Sequence, residues 1–191
     1  LHRSCSKTQN EVSQMNYKQH KKKWIDCKKC VLCEKRNRVV LARGCLPCDI
    51  LFVGEAPGVS EDVLGRPFIG PAGKLLDSII DSVVEIRGAR TAFTNLVCCI
   101  PKNDGGNKVE EPAKESIDSC AERLKQMVLI ANPKVIVAVG KLAKKHVAII
   151  CEGIKAITII HPAAILRLDI SQQSLAVHRV KLQLEDLIDC L

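Results

Sequence analysis

Four short, largely apolar runs recur along this 191-residue chain with helix-length stretches between them: DILFV at 49–53, TAFTNLV at 91–97, KVIVAVG at 134–140 and ITII at 157–160. Runs of this length, bounded by turn formers, read as strands covered on both faces. The stretches near 73–86, 114–131, 141–150 and 171–190 read as helices. Strands that alternate with helices are joined by crossovers, which place them parallel in one sheet and lay helices on both sides of it. The expectation is a three-layer α/β/α sandwich.

An apolar fraction of 47% against 26% charged residues belongs to a globular chain. One domain is expected over 18–191, with residues 1–17 a mobile lead-in or frayed helix that lacks periodicity. Apolar stretches break well before the roughly 18 residues a membrane span needs, and LHRSCSKTQN has no signal-peptide core, so the expected location is the cytoplasm or nucleoid. The net charge of +8, concentrated in KQHKKKWIDCKK at 18–29 and KLAKKH at 141–146, suits a polyanionic partner. Three Phe, one Trp and one Tyr are too few for the stacking platforms of a protein that coats single strands.

Two stretches put polar groups at strand ends. GEAPGVSEDVLGRPFIGPAGKLLD at 54–77 follows the first strand and HPAAILR at 161–167 follows the last. Ligands of open α/β sheets bind outside the carboxyl ends of the strands, so Glu55 and His161 should face one crevice. The first stretch is no phosphate loop, having neither a closing Gly-Lys-Ser/Thr nor GxGxxG spacing. The chain also carries eleven cysteines, among them DCKKCVLC at 26–33, GCLPC at 44–48 and the pair at 98–99. In a reducing compartment such groups point to metal, zinc or iron–sulfur, rather than to a disulfide framework.

From Cys27 to Arg167 the motifs resemble the iron–sulfur, family 4 branch of the uracil-DNA glycosylase superfamily. They run in family order: CxxC and LCxxR at 27–36, the long glycine-and-acid motif at 54–77, TNLVxC at 94–99, Cys120, NPKxIxxxG at 132–140 and HPAxxLR at 161–167. The resemblance implies a central four-stranded parallel sheet between helices, and a monomeric enzyme that hydrolyses the glycosidic bond of uracil in single- or double-stranded DNA, leaving an abasic site. It implies that Glu55 manages the attacking water and the sugar cation, and that His161 stabilises the uracil anion. Phe68 would stack on the extruded base, Asn95 would read its edge, and Ala56 and Glu61 would complete the pocket. Ile165 and Leu166 would wedge the gap in the DNA while Arg167 holds a phosphate. Cys27, Cys30, Cys99 and Cys120 would ligate a 4Fe-4S cluster, with Cys33 and Cys98 as bystanders and Cys98 pointing elsewhere.

Each residue type has a chemical reason to be there. Glycosidic cleavage puts positive charge on the sugar and negative charge on the base, so the site needs an acid and a donor. A carboxamide offers donor and acceptor side by side, matching a pyrimidine edge. Plainer roles stand beside these: an acid capping a helix for Glu55, core packing for Phe68, helix packing for Ile165 and Leu166. The Cys99–Cys120 connection, containing DGGN at 104–107, looks longer than the family's, and the segment from Gly140 to His161 looks shorter. Residues 100–119 contain no His, which rules out a covalently trapping mechanism of the kind a related branch uses. The alternatives are a non-catalytic DNA-binding or polymerase-associated module of the same fold, and a glycosylase for another damaged base such as hypoxanthine.

Overall fold

The computed structural model describes residues 15–83, 88–103 and 109–188. In chain order it contains α1 (Tyr17–Trp24), a 3-10 turn (Val31–Cys33), β1 (Arg43–Gly44), β2 (Ile50–Gly54), α2 (Val59–Leu64), α3 (Pro71–Asp81), β3 (Thr91–Asn95) and α4 (Lys114–Ala131). β4 (Val135–Val139), α5 (Lys141–Ile150), β5 (Ala156–Ile159), α6 (Pro162–Ile165) and α7 (Ile170–Ile188) complete it.

The sheet order is β1-β3-β2-β4-β5. β3, β2, β4 and β5 run parallel, as expected, while β1 adds an antiparallel fifth strand with Arg43 opposite Phe93. Two residues are too few to carry an alternating pattern, so the sequence gives no sign of β1. Every residue of β2 and β4 is buried. Their alternate side chains feed two cores. Leu51, Val53, Ile136 and Ala138 pack with Leu124 of α4 and Val147 of α5, whereas Ile50, Phe52, Val135 and Val137 pack with Leu76 and Ile79 of α3 and Leu184 of α7. These are the three layers.

The N-terminal segment differs most from the expectation. Residues 1–14 lie outside the described residues, but from Tyr17 the chain is helical. Asn16 accepts the Gln19 amide hydrogen at 3.0 Å and the Gln19 side chain accepts that of Asn16 at 2.8 Å, a reciprocal cap. α1 is polar and buries only His20 and Trp24. It is held on α4 by specific bonds: Trp24 Nε1 donates to Gln126 Oε1 at 2.8 Å, His20 Nε2 meets the Arg123 carbonyl at 3.1 Å, and Lys23 pairs with Glu122, as does Lys29 just beyond the helix. The DGGN segment lies outside the described residues. α3 starts at Pro71, a residue whose fixed φ suits a first helical position, and α2 occupies part of what the sequence suggests is loop. Among the described residues no helix is long and apolar enough to cross a membrane.

Candidate active site

The chain leaves β2 to form β3 on one side and returns to form β4 on the other, so the connections diverge at the carboxyl ends of β2 and β4 and leave a crevice. A cavity of about 450 Å³ lies there, lined by Glu55, Ala56, Glu61, Phe68, Asn95 and His161 among others. Residues 55, 95 and 161 come from the ends of three different parallel strands, as the sequence reading expects.

Gly140, which ends β4, is the centre of the arrangement. A Cβ built on it would lie 2.6 Å from Glu55 Oε1 and 3.3 Å from His161 Cβ, and its φ of +99° is one that side chains disfavour. Only hydrogen at this position lets the acid and the imidazole approach from either side. Glu55 receives the backbone N–H of Leu142 in the first turn of α5, so it also caps that helix. Burial, and then the charge of Glu111, holds its carboxyl above the ordinary carboxylate range against that hydrogen bond.

His161 is the N-cap of α6. Its Nδ1 accepts the Ala163 amide hydrogen at 3.1 Å. An acceptor nitrogen bears no proton, so the neutral ring carries its hydrogen on Nε2. Burial, followed by the charge of Arg167, lowers the imidazole pKa below its usual value. The site thus holds a neutral Nε2–H donor.

Asn95 is 3% exposed at the end of β3 and lines the cavity; no described residue takes its carboxamide in a hydrogen bond. Phe68 packs at a tilt on Phe93, ring centroids 5.7 Å apart, and adopts a φ of +56°. That backbone region costs a bulky residue roughly 1–2 kcal/mol. It is braced by Arg43, whose guanidinium donates to the carbonyls of Pro67 at 2.8 Å and Phe68 at 3.1 Å while pairing with Asp77. Gly54 keeps the two pocket residues in reach of each other: a Cβ there would come 2.4 Å from Asn95 Oδ1 and 2.5 Å from Phe68 Cζ. Glu61 is committed to the loop, accepting the backbone N–H of Gly58 and that of Ile69, the latter at 3.2 Å. It lines the cavity with a carboxylate already spoken for.

The 165–167 segment divides. Ile165 is fully buried in the core with α3 and α7, which corrects its reading as a wedge into DNA; one turn of α6 turns it inward. Leu166 is 43% exposed and Arg167 lines the cavity. Sequence reasoning missed Arg43, Glu111, Arg123 and Gly140. Only Gly140, at the end of an apolar strand, carried a readable signal.

Arg123 joins the site to the cysteines. Its wholly buried guanidinium donates to Thr94 Oγ1 at 2.9 Å, to the Asn95 carbonyl and to the Leu96 carbonyl at 2.8 Å. Its Nε has no partner among the described residues. Burial disfavours its charge, and the groups whose thiolate forms would favour it are Cys120, Cys98 and Cys99. Cys98 Sγ lies 3.7 Å from Cys120 Sγ, so Cys98 packs on Cys120 rather than pointing elsewhere, because both side chains enter the same core. Cys99 receives Arg36 Nη1 at 3.2 Å, and hydrogen bonding with Cys98, then this guanidinium, lowers its thiol pKa. Cys27 packs at the edge of the core that holds Cys98, Cys99 and Cys120, and Cys30 opens the 3-10 turn. Among the described residues no three His, Cys, Asp or Glu side chains gather as one metal ion requires. An iron–sulfur cluster asks for a different arrangement, one thiolate per iron around a larger body. A buried cation with thiols as its neighbours fits such an anionic group, since an unbalanced interior charge is expensive.

Fold and site define an α/β protein whose cavity lies at the topological switch of a parallel sheet and presents an acid, an imidazole donor, an amide and an aromatic ring. The sequence model of the uracil DNA glycosylase superfamily matches residues 42–181, and the chain belongs to that superfamily. It is similar to the type-4 uracil-DNA glycosylase of Archaeoglobus fulgidus, 31% identical over 163 residues, which covers 74% of this chain and 79% of that protein. The type-4 uracil-DNA glycosylase of Sulfurisphaera tokodaii is 38% identical over 127 residues, or 66% of this chain and 56% of the relative. That of Thermotoga maritima is 40% identical over 119 residues, 61% and 59% respectively. Against several of these curated relatives the chain spans little more than half their length.

Proposed function

We propose that this protein excises uracil from DNA by hydrolysing the N-glycosidic bond and leaving an intact abasic site. The observation that carries the reading is the convergence of Glu55, Phe68, Asn95 and His161 on one cavity of about 450 Å³. An extruded base enters that cavity, at an unstacking cost of roughly a few kcal/mol, and lies against the Phe68 ring. The Asn95 carboxamide pairs with the base edge, where uracil and cytosine present opposite donor and acceptor patterns. As the bond from sugar to base breaks, its electron pair stays on the uracil ring, and the Nε2–H of His161 donates to the developing anion. Glu55 orients a water whose oxygen bonds to the sugar carbon and whose proton leaves toward the carboxylate. Arg167 meets a phosphate, and Leu166 is the apolar side chain free to fill the vacated stack.

Cys27, Cys30, Cys99 and Cys120 are the residues that would hold a 4Fe-4S cluster. When bound it would supply four thiolate bonds that cross-link three segments of the fold, a structural contribution. Matched oligonucleotides carrying uracil, thymine, hypoxanthine or 5-hydroxymethyluracil, followed by alkaline cleavage at abasic sites, test the function. Product from uracil alone is expected. Preference for another base would reassign the substrate, and binding without product from any of them would make the chain a DNA-binding module.

A further inference from the structure

A second cavity, of about 540 Å³, opens at the far end of α2 from the first. Gly58 and Glu61 line the first cavity, whereas Leu64, Gly65 and Arg66 line the second. The nearest lining positions of the two, Glu61 and Leu64, are three residues apart on α2, a rise of about 4.5 Å. Around the second stand Lys21 of α1, Arg36, Arg38 and Arg66, against the single carboxylate of Asp26. Lys21, Arg38 and Arg66 form no ion pair among the described residues, and Arg36 spends one nitrogen on Cys99.

The cavity is built rigidly onto the first. Asp62, buried on α2, accepts the backbone N–H of Asn37 at 2.9 Å, the Asn37 side-chain amide at 2.7 Å and the Arg38 N–H at 3.3 Å. Glu61, one residue earlier, ties the loop of the base cavity to the same short helix. One helix thus fixes the spacing of Arg38 and Arg66 from the base cavity. Guanidiniums without a carboxylate partner among the described residues, gathered around a concavity, match phosphodiester oxygens, which accept paired N–H donors and which a flat solvated surface would not orient.

We propose that this cavity binds backbone phosphate of the DNA strand whose base occupies the neighbouring site, about one to three nucleotides from that base. The assignment rests on the uracil-excision reading. Arg36 joins the phosphate site to Cys99, so the cysteine-bearing N-terminal segment forms part of the DNA grip.

The test uses Arg38→Glu, Arg66→Glu and the conservative Arg38→Lys in the full chain, both positions being exposed. Single-turnover cleavage of a uracil oligonucleotide is followed across enzyme and salt concentrations. The charge reversals should raise the half-saturating concentration about tenfold, leave the plateau rate near wild type, and lower the salt slope by about one per lost contact, with Arg38→Lys partly restoring affinity. Replacing single phosphates near the uracil by uncharged methylphosphonates should weaken wild-type binding at one position and leave Arg38→Glu indifferent there. Unchanged affinity and salt slope in both reversals, or a loss confined to the plateau rate, would overturn the proposal. Saturable binding of inorganic phosphate abolished by Arg38→Glu, with DNA affinity untouched, would overturn it in favour of a free anion. If the wild type binds DNA with the phosphate pattern but releases no uracil, the excision reading fails while the phosphate site stands.

Discussion

An alanine at position 140 would place a methyl 2.6 Å from the Glu55 carboxylate in a backbone conformation that disfavours it. Gly140→Ala should therefore lower stability by about 1 kcal/mol or more and slow single-turnover excision by about a hundredfold, the effect of misplacing a reacting group by about 1 Å. A urea midpoint and a plateau rate read the two separately; a normal rate would remove Glu55 from the chemistry. The same residues set the pH profile. In the proposed reaction Glu55 works ionised and His161 neutral; the Glu55 carboxyl lies above the usual range and the His161 pKa is lowered. Activity should rise with pH through an acid limb above ordinary carboxylates and then stay flat through neutrality. Because the Glu111 charge helps to raise Glu55, Glu111→Gln should move that limb to lower pH. Loss of rate as pH climbs past about 6.5, the usual histidine value, would mean that His161 acts as imidazolium. Asn95→Asp replaces a donor with an acceptor and should weaken uracil selection against cytosine, measured as the ratio of the two plateau rates. Glu55 and His161 were legible because each follows an apolar strand, whereas Asn95, the last residue of β3, was reached through the family resemblance. Arg43 and Glu111 were not, because an arginine bracing a turn that is 24 residues downstream, or an acid acting through its field, leaves no local pattern.

At the scale of elements, β2 to β5 could be read because strands buried on both faces announce themselves by continuous apolar runs. α1 could not: its residues are mostly Lys, Gln and Tyr, and its stability comes from α4, through a docking that the sequence does not encode nearby. That docking has a pH signature. His20 is buried against Arg123, and burial lowers its pKa to about 4. The unfolded chain, with an ordinary imidazole near 6.5, binds the proton that the folded one refuses. Stability contributed by neutral His20 is thus full above about 6.5 and declines as pH falls toward about 4. The loss is on the order of 2–3 kcal/mol. His20→Gln should flatten the urea midpoint over that window relative to wild type, even if it lowers it throughout. A wild-type slope retained in the variant would place the sensitivity elsewhere.

Across the whole molecule, the cysteines sit on parts that the sheet alone leaves separate: the segment after α1, the chain leaving β3, and α4. Arg123 stands among them with its charge uncompensated by any carboxylate bond among the described residues and with its donors on the backbone beside Asn95. If Cys27, Cys30, Cys99 and Cys120 hold an iron–sulfur cluster, the anionic group both staples the basic segment and balances this guanidinium. Serine at any of the four should then lower bound iron and the visible absorbance of the anaerobically prepared protein, and should lower its melting temperature as well. Cys33→Ser and Cys98→Ser should keep both iron and colour. Cys98 is the sharper control, since its sulfur lies 3.7 Å from that of Cys120 and a wrong ligand assignment would first appear there. Arg123→Met removes the buried cation while keeping much of its volume. It should destabilise the cluster-loaded protein by about 3 kcal/mol or more, the usual effect of stripping one partner from a buried charge pair, and should affect a cluster-free variant less, because less negative charge is left unpaired there. Melting curves of Arg123→Met with and without Cys120→Ser form the cycle that measures this coupling. Strict additivity, or zinc in place of iron, would show that the buried arginine and the cysteines do not work as one unit.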